Sequence, residues 1–353
     1  MHILIIHQAF ASLNEPGGTR HYEIARNLVH RGHKVTIIAS PVSYLTGKST
    51  TTLEETEPGI RIIRAYTYSA LHKSFFHRLI SFFSFMISSF FNGLKVRNVD
   101  LIWGTSPPIF QGFTALLLAA LKRKPFLFEV RDLWPEFAIS IGILKNPILI
   151  AASLWLERLL YKNASAVVVN SPGYVDHVKN HGARQVHLVP NGVDPDMFVS
   201  NGNGKQFRRE QSLDDKFVVL YAGAHGVSND LGIILQSADI LRNEKNIQFV
   251  FVGDGKEKSG LLKQASDLKL PNVIFLPAVP KIQMAEILAA ADTCLAILKP
   301  LECYKTTYPN KVFDYMAARK PVVLAIDGVI KEVVMEANCG IFAQPGNVQE
   351  ISD

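Results

Sequence analysis

Residues 2–39, HILIIHQAFASLNEPGGTRHYEIARNLVHRGHKVTIIA, decide the fold. HILIIH (2–7) and KVTIIA (34–39) are short, apolar and β-branched, and each reads as a buried strand. Between them HYEIARNLVHRG (21–32) reads as a helix stopped at Gly32, with Arg31 and His33 beside it. Strand, helix, strand in so few residues means a βαβ unit and a parallel sheet.

The rhythm continues outward. DLIWG (100–104), PFLFEV (125–130), AVVVN (166–170) and VHLVP (186–190) are expected strands, and residues 139–162 one long helix. A second series follows: KFVVLYAG (216–223), IQFVFVGDG (247–255), VIFLP (273–277), TCLAILKP (293–300) and PVVLAI (321–326) as strands, with helices over 232–243, 257–269 and 283–292. The polar stretch 199–215 separates the two series and reads as a linker. The expectation is an α/β protein with two Rossmann-like parallel-sheet domains, residues 1–198 and 216–353, facing a central cleft.

The totals narrow the possibilities. The chain has 353 residues, 48% hydrophobic and 19% charged, a globular composition long enough for two cores. A net charge of +6 suits nucleic acid, anionic lipid or a phosphorylated small molecule. The sequence lacks an RNP-like motif, zinc-finger spacing or a Lys/Arg run, so nucleic acid is not expected. Three dispersed cysteines, Cys294, Cys303 and Cys339, give neither a disulfide framework nor a Cys-based zinc site, which fits a cytoplasmic setting. GxSxG, HExxH and Walker A patterns are missing. DPD at 194–196 resembles an Asp-x-Asp metal site, but Pro195 fixes it in a turn and no metal is expected. Residues 71–97, with seven phenylalanines and basic ends, read either as a helix lying on an anionic membrane surface or as a core helix with cationic ends.

In open parallel sheets ligands sit beyond the carboxyl ends of the strands. The loops there are rich in glycine. Gly17 and Gly18 precede the first helix, Gly223, His225 and Gly226 follow the 216–222 strand, and GDG follows 247–252. Such loops let main chain approach a phosphate. Arg131 and Asp132 end the strand of FEVRDLWPE, where a guanidinium and a carboxylate can orient sugar hydroxyls and Trp134 can stack on a sugar or a lipid. In PNKVFDYMAARKPVVL (309–324), Asn310 can cap a helix with Lys311 and Asp314, three apart, near its start.

Taken in order, PGGTRHYEIARNLVHRGHKVTII, RDLWPE, LVPNGVDPDMF, YAGAHG, VFVGDG and PNKVFDYMAARKPVV resemble the family-4 retaining glycosyltransferases of GT-B architecture. The likeness is strongest to the O-antigen, capsule and exopolysaccharide branch, which includes fucosamine-type transferases. The resemblance implies an N-terminal acceptor domain and a C-terminal domain for a nucleotide-sugar, usually a UDP-sugar. It implies Asp314 on the ribose, Lys311, Gly17, Gly18 and the Gly223–Gly226 loop around the diphosphate, Val279 beside the base, and Arg131 and Asp132 toward acceptor and donor sugar. The family's Glu, seven residues, Glu pair reads Thr306 and Asp314 here, and Glu302 stands nearby in sequence. The family's basic pair after the YAG strand is replaced in HGVSNDLG, leaving Lys311 or Lys256 to neutralise phosphate charge.

The activity implied is metal-independent and cofactor-free sugar transfer to an undecaprenyl-diphosphate-linked acceptor, by a peripheral protein at the inner face of the cytoplasmic membrane. A nucleotide-sugar epimerase of the same fold and an inactive membrane-associated partner subunit are the competing readings. The family's final helix, which crosses back to the first domain, is expected to be missing after Asp353.

Overall fold

The computed structural model describes residues 1–50, 54–57, 59–70, 75–198 and 204–353. Leu71–Ser74, at the head of the Phe-rich segment, and 199–203, in the expected linker, lie outside them. The chain forms two compact units. One comprises Met1–Ser12 with Gly17–Pro190, the other Leu13–Pro16 with Asn191–Asp353.

The first unit holds strands β1 (His2–Ile6), β2 (Lys34–Ala39), β3 (Glu54–Glu57), β4 (Ile60–Arg64), β5 (Leu101–Ser106), β6 (Phe126–Val130), β7 (Ala166–Val169) and β8 (Val186–Leu188). They form one sheet in the order β3-β4-β2-β1-β5-β6-β7-β8, parallel except for β3, which pairs antiparallel with β4. Ile3 pairs with Val35 on one side and Leu101 on the other. Ile3 to Ile6 are buried, because helices cover both faces and every side chain of a central strand finds a dry neighbour. Those helices are α1 (Arg20–His30), α2 (Phe75–Lys95), α3 (Phe110–Lys122), α4 (Glu136–Ser140), α5 (Pro147–Asn163) and α6 (Val175–Asn180).

The single helix expected over 139–162 is two. Gly142 at φ +71° ends the first, and Asn146 caps the second with its side chain accepting from the Ile148 and Leu149 amides. Pro147 at the first helical position needs no donor there. The β3–β4 pair was not foreseen, since EETE carries no strand signal of its own.

The second unit holds β9 (Phe217–Ala222), β10 (Ile247–Val252), β11 (Val273–Leu276), β12 (Thr293–Ile297), β13 (Val322–Ala325) and β14 (Gly340–Phe342), all parallel, in the order β11-β10-β9-β12-β13-β14. Helices α7 (Gly204–Glu210), α8 (Leu231–Ile240), α9 (Lys258–Asp267), α10 (Met284–Ala290), α11 (Asn310–Ala317), α12 (Val329–Glu336) and α13 (Val348–Ser352) complete it. Part of the stretch read as a linker is therefore structured. Arg208 of α7 donates to the Ala290 and Lys216 carbonyls and pairs with Asp292 at 2.6 Å, fastening α7 to this unit.

Each sheet reverses its winding once. In the first unit the reversal falls between β1 and β5, in the second between β9 and β12. The carboxyl ends of those strand pairs open crevices, and the candidate residues collect there.

Candidate active site

In the second unit, the loop after β9 meets the segment after β12. Lys299 donates its amide to the Ser228 carbonyl at 3.0 Å, and the Tyr304 hydroxyl lies 2.5 Å from Ser228 Oγ. Helix α11 stands beside this junction. Its buried Tyr315 accepts from the Ala222 amide at 3.0 Å, fixing the helix against the end of β9. Pro309, not Asn310, holds the cap position, and no side chain caps the helix.

Lys311 points from α11 toward Gly223. Its ammonium donates to the Tyr221 hydroxyl at 2.6 Å and Asn229 Oδ1 at 3.1 Å, 4.1 Å from the centre of the Tyr221 ring. Among the described residues no carboxylate pairs with it. Burial without a counter-charge pulls its pKa down from 10.5 to about 7. A Cβ on Gly223 would sit 3.2 Å from the Lys311 ammonium, so glycine is what admits it. Gly253, after β10, has φ +156°, and any side chain there would run into the Gly223 carbonyl.

His225 is fully buried in this knot of loops, among Tyr221, Phe251 and Phe275. Neither ring nitrogen has a partner among the described residues. Burial, then the charges of Lys258 and Lys311, lower its pKa to about 4, so the ring is neutral and one nitrogen carries a proton to donate. Gly226 closes the same loop.

Asp314 does not stand alone on α11. Lys281, from the stretch expected to line a base, pairs with it at 2.5 Å and lies 5.3 Å from the centre of the Phe198 ring. Lys281 was not foreseen as a site residue. Val279 packs partly into the apolar core. Thr306 donates its hydroxyl to the Cys303 carbonyl at 2.7 Å, while Glu302 is 87% exposed and paired with Lys305, so its carboxylate is engaged at the surface. Lys256 is not among the groups bonded at Lys311; Lys258 is tied to the Gly253 and Leu276 carbonyls.

The first unit has its own polar cluster at the β1–β5 reversal, and most of it was not foreseen. Glu129 of β6 is fully buried, bonded to Arg20 Nε at 2.8 Å and His21 Nε2 at 2.5 Å. Burial alone would raise its carboxyl, but the charge and hydrogen bonds of His21 and Arg20 outweigh it and hold it well below the usual range. His7, directly after β1, lies with its ring 4.2 Å from that of His21, and both its nitrogens are unmatched among the described residues. Burial, then His21 and Arg131, hold its pKa well below normal.

Arg131 bonds the main-chain oxygens of Ser106 and Pro107, each at 3.2 Å, and so braces the loop after β5. Asp132 follows it; burial, partly offset by Arg131, pushes its pKa up to about 6. Trp134, expected to be open for stacking on a sugar, instead packs edge-on to Phe110 against the core. Gly17 and Gly18 precede α1 in this unit, with the Gly18 amide donating to the Tyr44 hydroxyl at 3.2 Å. Sequence signals for this cluster were weak. Glu129 lies 108 residues from His21, and only the strand-end position of His7 marks it.

Two sheets of this topology, each with a polar cluster at a winding reversal, define a doubly wound α/β protein with ligand crevices at its strand ends. A glycosyl transferase 4-like domain matches residues 17–192, and a glycosyl transferases group 1 domain matches residues 216–353. The chain is a glycosyltransferase built from these two domains. It is 26% identical over 322 residues to the Escherichia coli (strain K12) protein named as the colanic acid biosynthesis glycosyl transferase WcaI, covering 87% of this chain and 76% of that one. It is 25% identical over 226 residues to the Bacillus subtilis (strain 168) protein named for teichuronic acid biosynthesis, TuaH, covering 63% of this chain and 54% of that one. Among solved structures, Anabaena Alr3699/HepE in complex with UDP and glucose superimposes with a TM-score of 0.73 at 18% identity, over 100% of this chain and 88% of that one. That likeness supports the GT-B fold.

Proposed function

We propose that this enzyme transfers a sugar, with retention of anomeric configuration, from a UDP-sugar to a lipid-linked saccharide during surface polysaccharide synthesis. The observation that carries the reading is Lys311: a partly buried cation with only neutral partners, beside a glycine-lined main-chain loop and a buried neutral histidine with both nitrogens unmatched. Such a site is prepared for an anion. A diphosphate would restore the charge on Lys311 and accept from His225 and nearby amides, and these donors would stabilise the negative charge that grows on it as the glycosidic bond breaks. Asp314 at the start of α11 would accept from ribose hydroxyls, with Lys281 holding its carboxylate in place. The related proteins named for colanic and teichuronic acid synthesis, and the UDP bound by the Anabaena neighbour, support the substrate class. In the first unit, Arg131 and Asp132 would face the sugars, and Gly17 and Gly18 would offer main chain to a phosphate. No protein nucleophile and no metal is assigned to the reaction.

The acceptor reading rests on α2. Phe76, Ile80, Phe83, Ile87, Phe91 and Leu94 are exposed at helical spacing along one face, while Ser81, Phe85 and Ser89 are buried on the other. Basic residues Lys95, Arg97, Arg123 and Lys124 lie at the same end of α2 and α3. An apolar stripe with a cationic end is suited to lie in a lipid surface, where an undecaprenyl-diphosphate-linked acceptor is found. Among the described residues no helix is long and apolar enough to cross a membrane.

Thr306 favours a second reading, a catalytically silent partner subunit, because no carboxylate takes the position where the family carries its first Glu. UDP titration by calorimetry, followed by a donor screen with a lipid-linked acceptor, tests both. UDP binding with sugar transfer supports the enzyme; absence of UDP binding by the intact chain rejects the donor site altogether.

A further inference from the structure

Elsewhere in the first unit, three helices bring together groups that sugar transfer leaves unused. His177 lies on α6 and His181 ends it, four positions apart and therefore on one face. Their rings stack 4.0 Å apart with 16° between planes. Glu157 of α5 is fully buried. Its Oε1 lies 2.9 Å from His177 Nε2 and accepts from the Tyr161 hydroxyl at 3.1 Å. Its Oε2 is buried with no partner among the described residues. His177 Nδ1 faces Glu136 Oε2 at 3.1 Å, and His181 Nδ1 donates to the His177 carbonyl at 2.7 Å. One ligating atom each from Glu157, His177 and His181 falls within 4.8 Å of the others.

A buried carboxylate with an unmatched oxygen is costly. A proton on His177 would bridge Glu136 and Glu157, but it would leave Glu157 Oε2 unmatched and press an imidazolium flat against a second imidazole. A divalent cation would satisfy the unmatched Glu157 oxygen without a second proton between the rings. It would take the Glu157 carboxylate and the Nε2 lone pairs of both rings, while Glu136 and the His177 carbonyl accept from the far nitrogens. Imidazoles that bind metals are commonly held this way, with the other N–H on a carboxylate or carbonyl. Two imidazoles and one carboxylate suit zinc, with the fourth position left to water.

We propose that Glu157, His177 and His181 form a zinc site in the first unit, oriented by Glu136 and Tyr161. The metal would join α5 to α6 and, through Glu136, fix α4, which starts four residues beyond Asp132. Its role is to hold this corner together, not to take part in sugar transfer. Cysteine spacing is blind to it, because the ligands are an HxxxH pair and a glutamate twenty residues upstream.

The test uses the full, tag-free chain stripped by a chelator, titrated with zinc chloride by calorimetry and analysed for metal after desalting. One zinc per chain and a raised unfolding temperature are expected. His181→Ala removes a part-exposed ring and should leave circular dichroism unchanged while weakening zinc binding more than tenfold; Glu136→Gln should weaken it about tenfold. Absence of zinc binding by the wild-type chain, or binding that neither substitution alters, overturns the proposal.

Discussion

Lys281 Nζ lies 2.5 Å from Asp314 Oδ2, and both side chains are at least four-fifths shielded from water. The pair joins the turn after β11 to the second turn of α11. It sets the orientation of the carboxylate assigned to the ribose before any ligand arrives.

Asp314→Asn should therefore weaken UDP binding about tenfold, roughly 1.4 kcal/mol, when read by calorimetry. Lys281→Ala should weaken it less but lower stability by about 1–2 kcal/mol in urea, because it removes the cation from a shielded carboxylate. If Lys281→Ala leaves both quantities unchanged, the pair is not organising the site.

Lys311 makes the proposed donor site sensitive to pH. Its folded pKa is lowered from 10.5 to about 7, so between those values the unfolded chain binds more protons. The ligand-free protein should thus gain stability as pH rises from about 7 toward 10. A bound diphosphate favours the charged form, so UDP binding at pH 8 should take up a proton, seen as heats that differ between buffers of different ionisation enthalpy. Lys311→Met should raise the melting temperature at pH 6 and cost at least about tenfold in UDP affinity.

Asp132 works in the opposite direction. Its folded pKa is raised from 3.8 to about 6 by burial, so the folded chain binds the extra proton within that window. Its contribution to stability should fall as pH climbs from 4 to 6. Asp132→Asn should flatten that slope and raise the melting temperature at pH 7, with loss of sugar transfer if the carboxylate faces the reacting sugars.

The exposed stripe of α2 separates lipid binding from folding. Changing Phe76, Phe83 and Phe91 together to Ser should abolish flotation with anionic liposomes and leave the melting temperature within a few degrees. Phe85→Ser, at a fully buried position, should instead cost about 3–5 kcal/mol of stability. Unchanged flotation of the triple variant would remove α2 as the lipid contact.

Sequence made the sheets legible because β-branched runs between amphipathic helices leave little choice of fold. The eleven strands expected all form, and Gly32 does end the first helix. Three strands escaped: β3 and β14 are short edge strands that gain their structure from the neighbour they pair with, and β4 lies inside the sheet between β2 and β3. Site residues on one loop or helix, such as Gly223 with His225 or Lys311 with Asp314, were visible as local patterns. Pairings across the fold were not: nothing in the sequence joins Lys281 to Asp314 or His21 to Glu129, because only the winding of the sheets makes them neighbours.

The interlock of Gly223 with Gly253 carries a further consequence. The two turns are shaped by atoms that every amino acid shares, and the only demand on sequence is that nothing project at those two points. A grip made in this way is insulated from drift in the surrounding side chains. Surrounding side chains can be exchanged while the main-chain shape of these two turns stays the same.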